Sequence, residues 1–149
     1  MSVNDDAAGA PTDSPTDWVA AHTKEYLDSD GEKGHIWYRD APTLLLTVTG
    51  RKTGQRRRTP LIYGRDGDDY LVVASKGGSD TPPEWYLNLR AHPDVEVQVG
   101  NEHFQARARD AAPEEKPRLW ATMAAIWPDY DEYQKKTDRQ IPVIVLERR

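Results

Sequence analysis

TLLLTVTGRKTGQRRRTPLIYGRDGDDYLVVA, Thr43 to Ala74, is the stretch on which the fold of this chain turns. Thr43 to Thr49 is β-branched and apolar, with the length of a buried strand. A second strand reads from Thr59 to Tyr63, beyond a basic loop. Asp66-Gly67 is a turn signal, and Tyr70 to Ala74 (YLVVA) is the next strand. Short connections between successive strands make hairpins, so the sheet they build is antiparallel.

The pattern continues on the C-terminal side. Val95 to Val99 alternates Val with Glu and Gln, as a half-exposed strand does. A Gly100-Asn101 turn leads to His103–Arg109, where Phe104, Ala106 and Ala108 alternate with polar residues. Val143 to Glu147 (VIVLE) ends the sheet. Helices interrupt it. Glu84 to His92 is one, with Pro82 and Pro83 before it and Pro93 closing it. Glu114 to Trp127 is another, carrying Leu119, Met123, Ile126 and Trp127 on one face. Pro128 breaks it, and Asp129 to Thr137 forms a last short helix. The reading is a mainly β, α+β fold: a small, partly closed antiparallel β-barrel with flanking helices.

On the N-terminal side Trp18 to Leu27 is a short helix, for which Asp17 can serve as N-cap. Asp28 to Gly34 is a charged break. Residues 1–17 hold four Asp and no Lys or Arg, with too little apolar content to pack. They read as a disordered acidic tail, leaving residues 18–149 as one domain. The 149-residue chain has no cysteine, which excludes disulfides, a thiol nucleophile and cysteine metal sites. No signal-peptide pattern and no apolar run near ~20 residues is present, so a cytoplasmic location is the default.

Chemistry concentrates in four segments. The first is Gly50 to Leu61 (GRKTGQRRRTPL), where Arg or Lys fills five of the eight positions 51–58 in a protein of net charge -5. A basic knot on an acidic chain suits a local anion, whereas nucleic-acid binders are usually basic overall. Gly50 and Gly54 let backbone N–H groups approach such an anion. Each charge-assisted hydrogen bond there contributes roughly 1.5–3 kcal/mol. The alternative is a solvated basic turn. The second is Ala74 to Ser79 (ASKGGS), a strand end suited to a polar ring edge or a phosphate, or else a flexible loop. The third is Glu84 to Leu89 (EWYLNL). Trp85 there packs in the core or against a ligand, and a buried Asn88 amide needs partners. The fourth is Trp127 to Tyr133, in which Tyr130 and Tyr133 wall a flat pocket or pack with wet tips.

The four His are scattered, without HExxH spacing, so no metal site is expected. The G-x-S-x-G, Walker and G-x-G-x-x-G patterns are missing. An anion seat without an acid–base set fits an enzyme whose cofactor carries the chemistry.

GRKTGQRRRTPL, VVASKGG (72–78), PEWYLNLRAHPDVEVQVG (83–100) and LW..M....P.Y..Y....DR.IPVIVLE (119–147) together resemble the deazaflavin-dependent nitroreductase family. The resemblance runs from about Leu44 to Glu147. It implies a split β-barrel like that of the flavin mononucleotide (FMN) reductases. It also implies reduced coenzyme F420 as donor of a hydride to a quinone, nitro-aromatic or similar electron-poor acceptor. By matching positions, Arg51, Lys52, Thr53, Arg57 and Arg58 meet the anionic cofactor tail, with Thr59, Pro60, Leu61 and Ile62 of the next strand. Val73, Ala74, Ser75 and Lys76 lie beside the ring. Glu84, Trp85, Tyr86, Leu87 and Asn88 line the same cleft, and Tyr130 closes over the ring. Ser75, Tyr130 and Tyr133 face the acceptor as the catalytic group. The alternatives are an FMN-dependent reductase on the same barrel and a non-catalytic deazaflavin carrier. Arg56 and Arg58 stand where relatives often have Pro and a neutral residue. Those two either grip a longer polyglutamate tail or are solvated. Some relatives begin with an apolar membrane-associating helix, whereas this tail is acidic, which limits membrane association to the periphery.

Overall fold

The computed structural model describes residues 12–13, 17–32, 35–36 and 41–149, with side chains from residue 21 onward. Most of the acidic stretch 1–17, and Lys33 and Gly34 of the charged break, lie outside the described residues. Thr12–Asp13, inside that stretch, forms a two-residue strand, β1, in parallel register with Arg57 and Arg58. Helix α1 runs Asp17–Asp28.

Strands β2 (Thr43–Thr49) and β3 (Arg56–Ile62) form the first hairpin, then β4 (Gly64–Asp66) and β5 (Asp69–Val73) the second. Helix α2 (Glu84–Ala91) follows. Next come β6 (Asp94–Val99) and β7 (Glu102–Asp110), helices α3 (Lys116–Ile126) and α4 (Asp129–Lys135), and β8 (Val143–Arg148). The sheet order is β1-β3-β2-β6-β7-β8-β5-β4, antiparallel except at β1.

That order proves the curl. β3 and β4 sit near opposite ends of the sheet, yet only Tyr63 separates them in the chain. Neighbouring strands lie about 4.8 Å apart, so one residue cannot cross a flat sheet of this width. The sheet must roll until its ends meet, which makes the partly closed barrel expected from the hairpins.

Side-chain alternation then divides the core. Leu44, Leu46, Val48, Tyr70, Val72, Phe104, Ile144 and Leu146 fill the barrel. Leu71, Val73, Val143 and Val145 point the other way, onto Leu119, Met123, Trp127 and Tyr130 of the α3–α4 layer. Both α3 and α4 are shorter than the sequence suggested: residues 114–115 precede the first, and the second ends at Lys135.

One boundary matters for function. Arg56, Arg57 and Arg58 are strand, not loop. They pair with Thr49, Val48 and Thr47 of β2, so the ladder begins three residues before Thr59. Backbone hydrogen bonding to a buried neighbour outweighs the weak strand preference of a basic run. Among the described residues, no helix is long and apolar enough to cross a membrane.

Candidate functional site

Two cavities draw lining residues from both β3 and α2. The larger, about 450 Å³, lies where the open side of the barrel faces α4. Leu61, Val73, Trp85, Trp127, Tyr130 and Tyr133 supply flat apolar walls, with Pro60, Ile62, Ser75 and Lys76 at its edges. The smaller, about 250 Å³, is lined by Gly50, Arg51, Lys52, Thr53, Arg57, Glu84 and Asn88.

The smaller cavity is built by the β2–β3 turn. The Gly50 N–H donates to the Gln55 carbonyl at 2.7 Å and the Gly54 N–H to the Gly50 carbonyl at 2.8 Å, and Gly54 takes φ 75°. Arg51, Lys52 and Thr53 line this cavity together with Glu84 and Asn88 of α2, and Asn88, 4% exposed, is the post that holds Arg51. Its Oδ1 accepts from the Arg51 backbone N–H at 3.1 Å and from Arg51 Nη1 at 2.8 Å. The same Nη1 donates to Glu84 Oε1 at 3.2 Å. A buried amide thus fixes the loop to the helix, which answers why Asn88 sits on a packing face. Among the described residues, neither Lys52 nor Arg57 has a carboxylate within ion-pair distance. Against them stands one carboxylate, Glu84, so the donor set suits an anion with more than one negative charge.

Strand alternation sorts the three arginines. Arg57 points to the small cavity. Arg56 and Arg58 project from the other face and line a separate cavity with Glu96, Gln98 and His103. There Arg56 forms an ion pair with Glu96. The sequence grouped Arg58 with Arg57, and the structure does not bring them together.

In the larger cavity two hydroxyls stand out. Ser75 is 8% and Tyr130 5% exposed, and both line the cleft. Among the described residues neither hydroxyl has a hydrogen-bond partner, although buried polar groups are normally paired. Burial, reinforced by neighbouring Tyr133, pushes the Tyr130 phenol well above its ordinary value, so it stays protonated. Tyr133 crosses Tyr130 edge-on, with ring centroids 6.1 Å apart, and its hydroxyl accepts from Trp127 Nε1 at 3.4 Å. Gly78, at φ 85°, lets the loop after β5 reach α4, because a Cβ there would meet the Tyr133 carbonyl at 2.8 Å.

Other expected residues fall elsewhere. Ala74 is fully buried in the barrel. Leu87 packs against that core. Tyr86 donates to Asp110 at 2.9 Å and accepts from Arg90 at 2.8 Å, away from both cavities. Thr59 lies on β3 between the two cavities and lines neither. Trp127, Pro83, His22 and Thr43 line the larger cavity without having been singled out as site residues. Trp127 was legible as a core aromatic. Nothing in the sequence joins His22 to a site built mostly from residues after Thr43.

The family model for F420H(2)-dependent quinone reductase matches residues 18–148. An F420H(2)-dependent quinone reductase of Mycobacterium tuberculosis (strain ATCC 25618 / H37Rv) is 46% identical over 131 residues, which is 86% of this chain and 88% of that protein. The solved structure of the F420-H2 dependent reductase FDR-A is similar at TM-score 0.68 and 41% identity, covering 76% of this chain and 98% of that one. A structure described as a domain-swapped dimer reaches TM-score 0.69 at 41% identity, over 90% of this chain and 100% of that one. The heme storage protein HutZ of Vibrio cholerae, at 15% identity and TM-score 0.56, covers 85% of this chain and 89% of that one. That last likeness is one of fold alone, and it lies among split barrels.

Proposed function

The chain belongs to the F420H(2)-dependent quinone reductase family, and on that premise we propose that the two adjoining cavities are the ring and tail sites of coenzyme F420. The protein is an oxidoreductase with reduced F420 as its donor. The bound cofactor supplies a hydride to the acceptor, for which we take a quinone.

The observation that carries the site assignment is that an apolar cleft and a cationic pocket are built on one strand and one helix. Leu61 and Trp85 line the first, while Arg57, Glu84 and Asn88 line the second, on the same strand and helix. Residues four apart on a strand are separated by about 13 Å. An extended ligand with a flat apolar head and an anionic tail matches that arrangement. The unpartnered Ser75 and Tyr130 hydroxyls suit the polar edge of a ring system or an acceptor oxygen. The donor set therefore fits the deazaflavin.

In this reading Arg51, held by Asn88, presents a preset guanidinium to the tail, and Lys52, Thr53 and Arg57 add donors. Trp85 and Val73 flank the ring, and α4 covers the cleft and excludes water. Tyr130, kept protonated by burial, donates a hydrogen bond to an acceptor oxygen as charge develops on it, and Ser75 and Tyr133 orient the same group.

Fluorescence titration with oxidised F420 and with its tail-less deazaflavin chromophore tests this. Saturable binding of both is expected, with F420 the tighter and its advantage shrinking as salt rises. Stopped-flow mixing of the loaded, reduced protein with menadione should then oxidise the cofactor. No saturable F420 binding, or a tightly bound yellow flavin in the purified protein, overturns the proposal.

A further inference from the structure

Arg139 lines neither cavity, yet its guanidinium grips the loop that follows β5. Nε donates to the Ser79 carbonyl at 2.8 Å. Nη1 and Nη2 each donate to the Ala74 carbonyl at 3.2 Å, and Nη2 also donates to the Ser75 carbonyl at 2.8 Å. Among the described residues it has no carboxylate partner. The side chain is half-buried and its hydrogen bonds go to this one loop.

Beside this grip, the loop forms a single 3₁₀ turn at Lys76–Gly78 and packs Gly78 on the Tyr133 backbone. Sheet-like bonding ends where the Ala74 N–H donates to the Pro142 carbonyl at 3.1 Å. Beyond that point Lys76, Gly77 and Gly78 all take positive φ, at 48°, 64° and 85°. Lys76 is not a glycine, so its left-handed backbone persists only where the surroundings impose it. The loop's own backbone bonds are Gly78 N–H to Ser75 at 3.1 Å and Ser79 N–H to Lys76 at 3.2 Å. Arg139 is itself anchored. Its carbonyl accepts from Gln134 Nε2 at 2.8 Å, and its N–H donates to Thr137 Oγ1 at 3.3 Å. Thr137 Oγ1 in turn donates to Asp80 at 2.7 Å.

We propose that Arg139 is a positioning residue for the reaction: it sets the backbone of residues 74–79, and through it the Ser75 hydroxyl and Lys76, against the deazaflavin ring. This rests on reading the larger cavity as the ring site. A planar fork can serve three carbonyls at once, whereas an ammonium is a point donor, so lysine is not an equivalent here. Small misplacements matter at such a position, since a shift of about 1 Å in an aligned group can lower a rate by about 10²-fold.

The test uses Arg139→Lys and Arg139→Ala in the full chain. Amide hydrogen exchange of residues 75–79 is measured on the ligand-free protein, with affinity for F420 and for the tail-less chromophore, kcat and KM for menadione, and the melting temperature. In Arg139→Lys we expect loop exchange to quicken while exchange in β2 and β3 holds. Affinity for both ligands falls about tenfold, because ordering the loop is no longer done in advance. The loss in kcat exceeds the change in KM, and millimolar methylguanidinium restores part of the activity of Arg139→Ala. Unchanged loop exchange and kcat in Arg139→Lys overturn the role. So does a loss of activity that merely follows the melting temperature and is not rescued. Wild-type protein that binds no deazaflavin overturns the ring-site reading and this role together; wild type that binds, beside an unaffected Arg139→Lys, overturns Arg139 alone.

Discussion

Arg57 lines the smaller cavity as a cation with no carboxylate partner among the described residues, so under the proposed assignment its contribution should appear in affinity. Arg57→Ala should weaken F420 binding about tenfold, a loss of roughly 1.4 kcal/mol. An unchanged dissociation constant at moderate salt would remove Arg57 from the pocket. Tyr130 differs, because its phenol is buried in the cleft and held protonated. Tyr130→Phe keeps the ring and removes the donor, so turnover should fall more than F420 affinity, as rapid mixing and titration would show. The reverse pattern would make it a packing residue. Asn88 illustrates what residue identity can and cannot say. That a buried amide must have partners was legible; that the partner is Arg51, 37 positions away, was not.

Strand β3 carries its arginines in alternation, and the alternation decides which cavity each lines. Arg56 and Arg58 share a face with Thr49, Thr47 and Glu96, away from the cavity that Arg57 lines. Arg56→Ala and Arg58→Ala should therefore leave F420 affinity within about twofold of wild type at moderate salt, where charges more than about 10 Å away are screened. A loss matching that of Arg57→Ala would mean that the tail crosses the strand. The basic run was plain in the sequence, but a strand starting at Thr59 gave its arginines no alternation. Only the β2 pairing, which extends the strand back to Arg56, separates them. The paired glycines at 77–78 show the same limit. Their freedom was legible, while the reason for Gly78, the approach of the Tyr133 backbone, is a contact between distant segments.

At the scale of the whole molecule helix α1 must be fixed to the sheet, and Tyr26 does so. It is fully buried, and its hydroxyl donates to the Thr43 carbonyl at 3.0 Å and accepts from the Gly100 N–H at 2.7 Å, tying α1 to β2 and the β6–β7 turn. Burial, partly opposed by the Gly100 hydrogen bond, raises its pKa from the ordinary 10.0 to about 12. A raised value for an acid means that the folded state holds the proton more tightly. Its stabilisation is complete below pH 10 and is lost as the pH rises through about 12. Tyr26→Phe should be less stable than wild type by roughly 1–3 kcal/mol near neutrality, having orphaned the Gly100 N–H. The gap between the two in denaturant midpoints should narrow between pH 10 and 12. A gap independent of pH would show that the phenol does not report on folding.

The strands, their hairpin turns, the helix breaks at proline and the basic knot at 51–58 were all written locally, in periods of two residues, in β-branching and in charge, which need no partner to be read. The family resemblance lay in the same local motifs. The curl of the sheet, the meeting of β3 and α2 along two cavities, the separation of Arg57 from Arg56 and Arg58, and the grip of Arg139 on the Ser75 loop were decided by tertiary structure. Each depends on which groups find partners across the fold, from Thr49 with Arg56 to Ala74 with Arg139, and pairings of that kind leave no periodic trace in the chain.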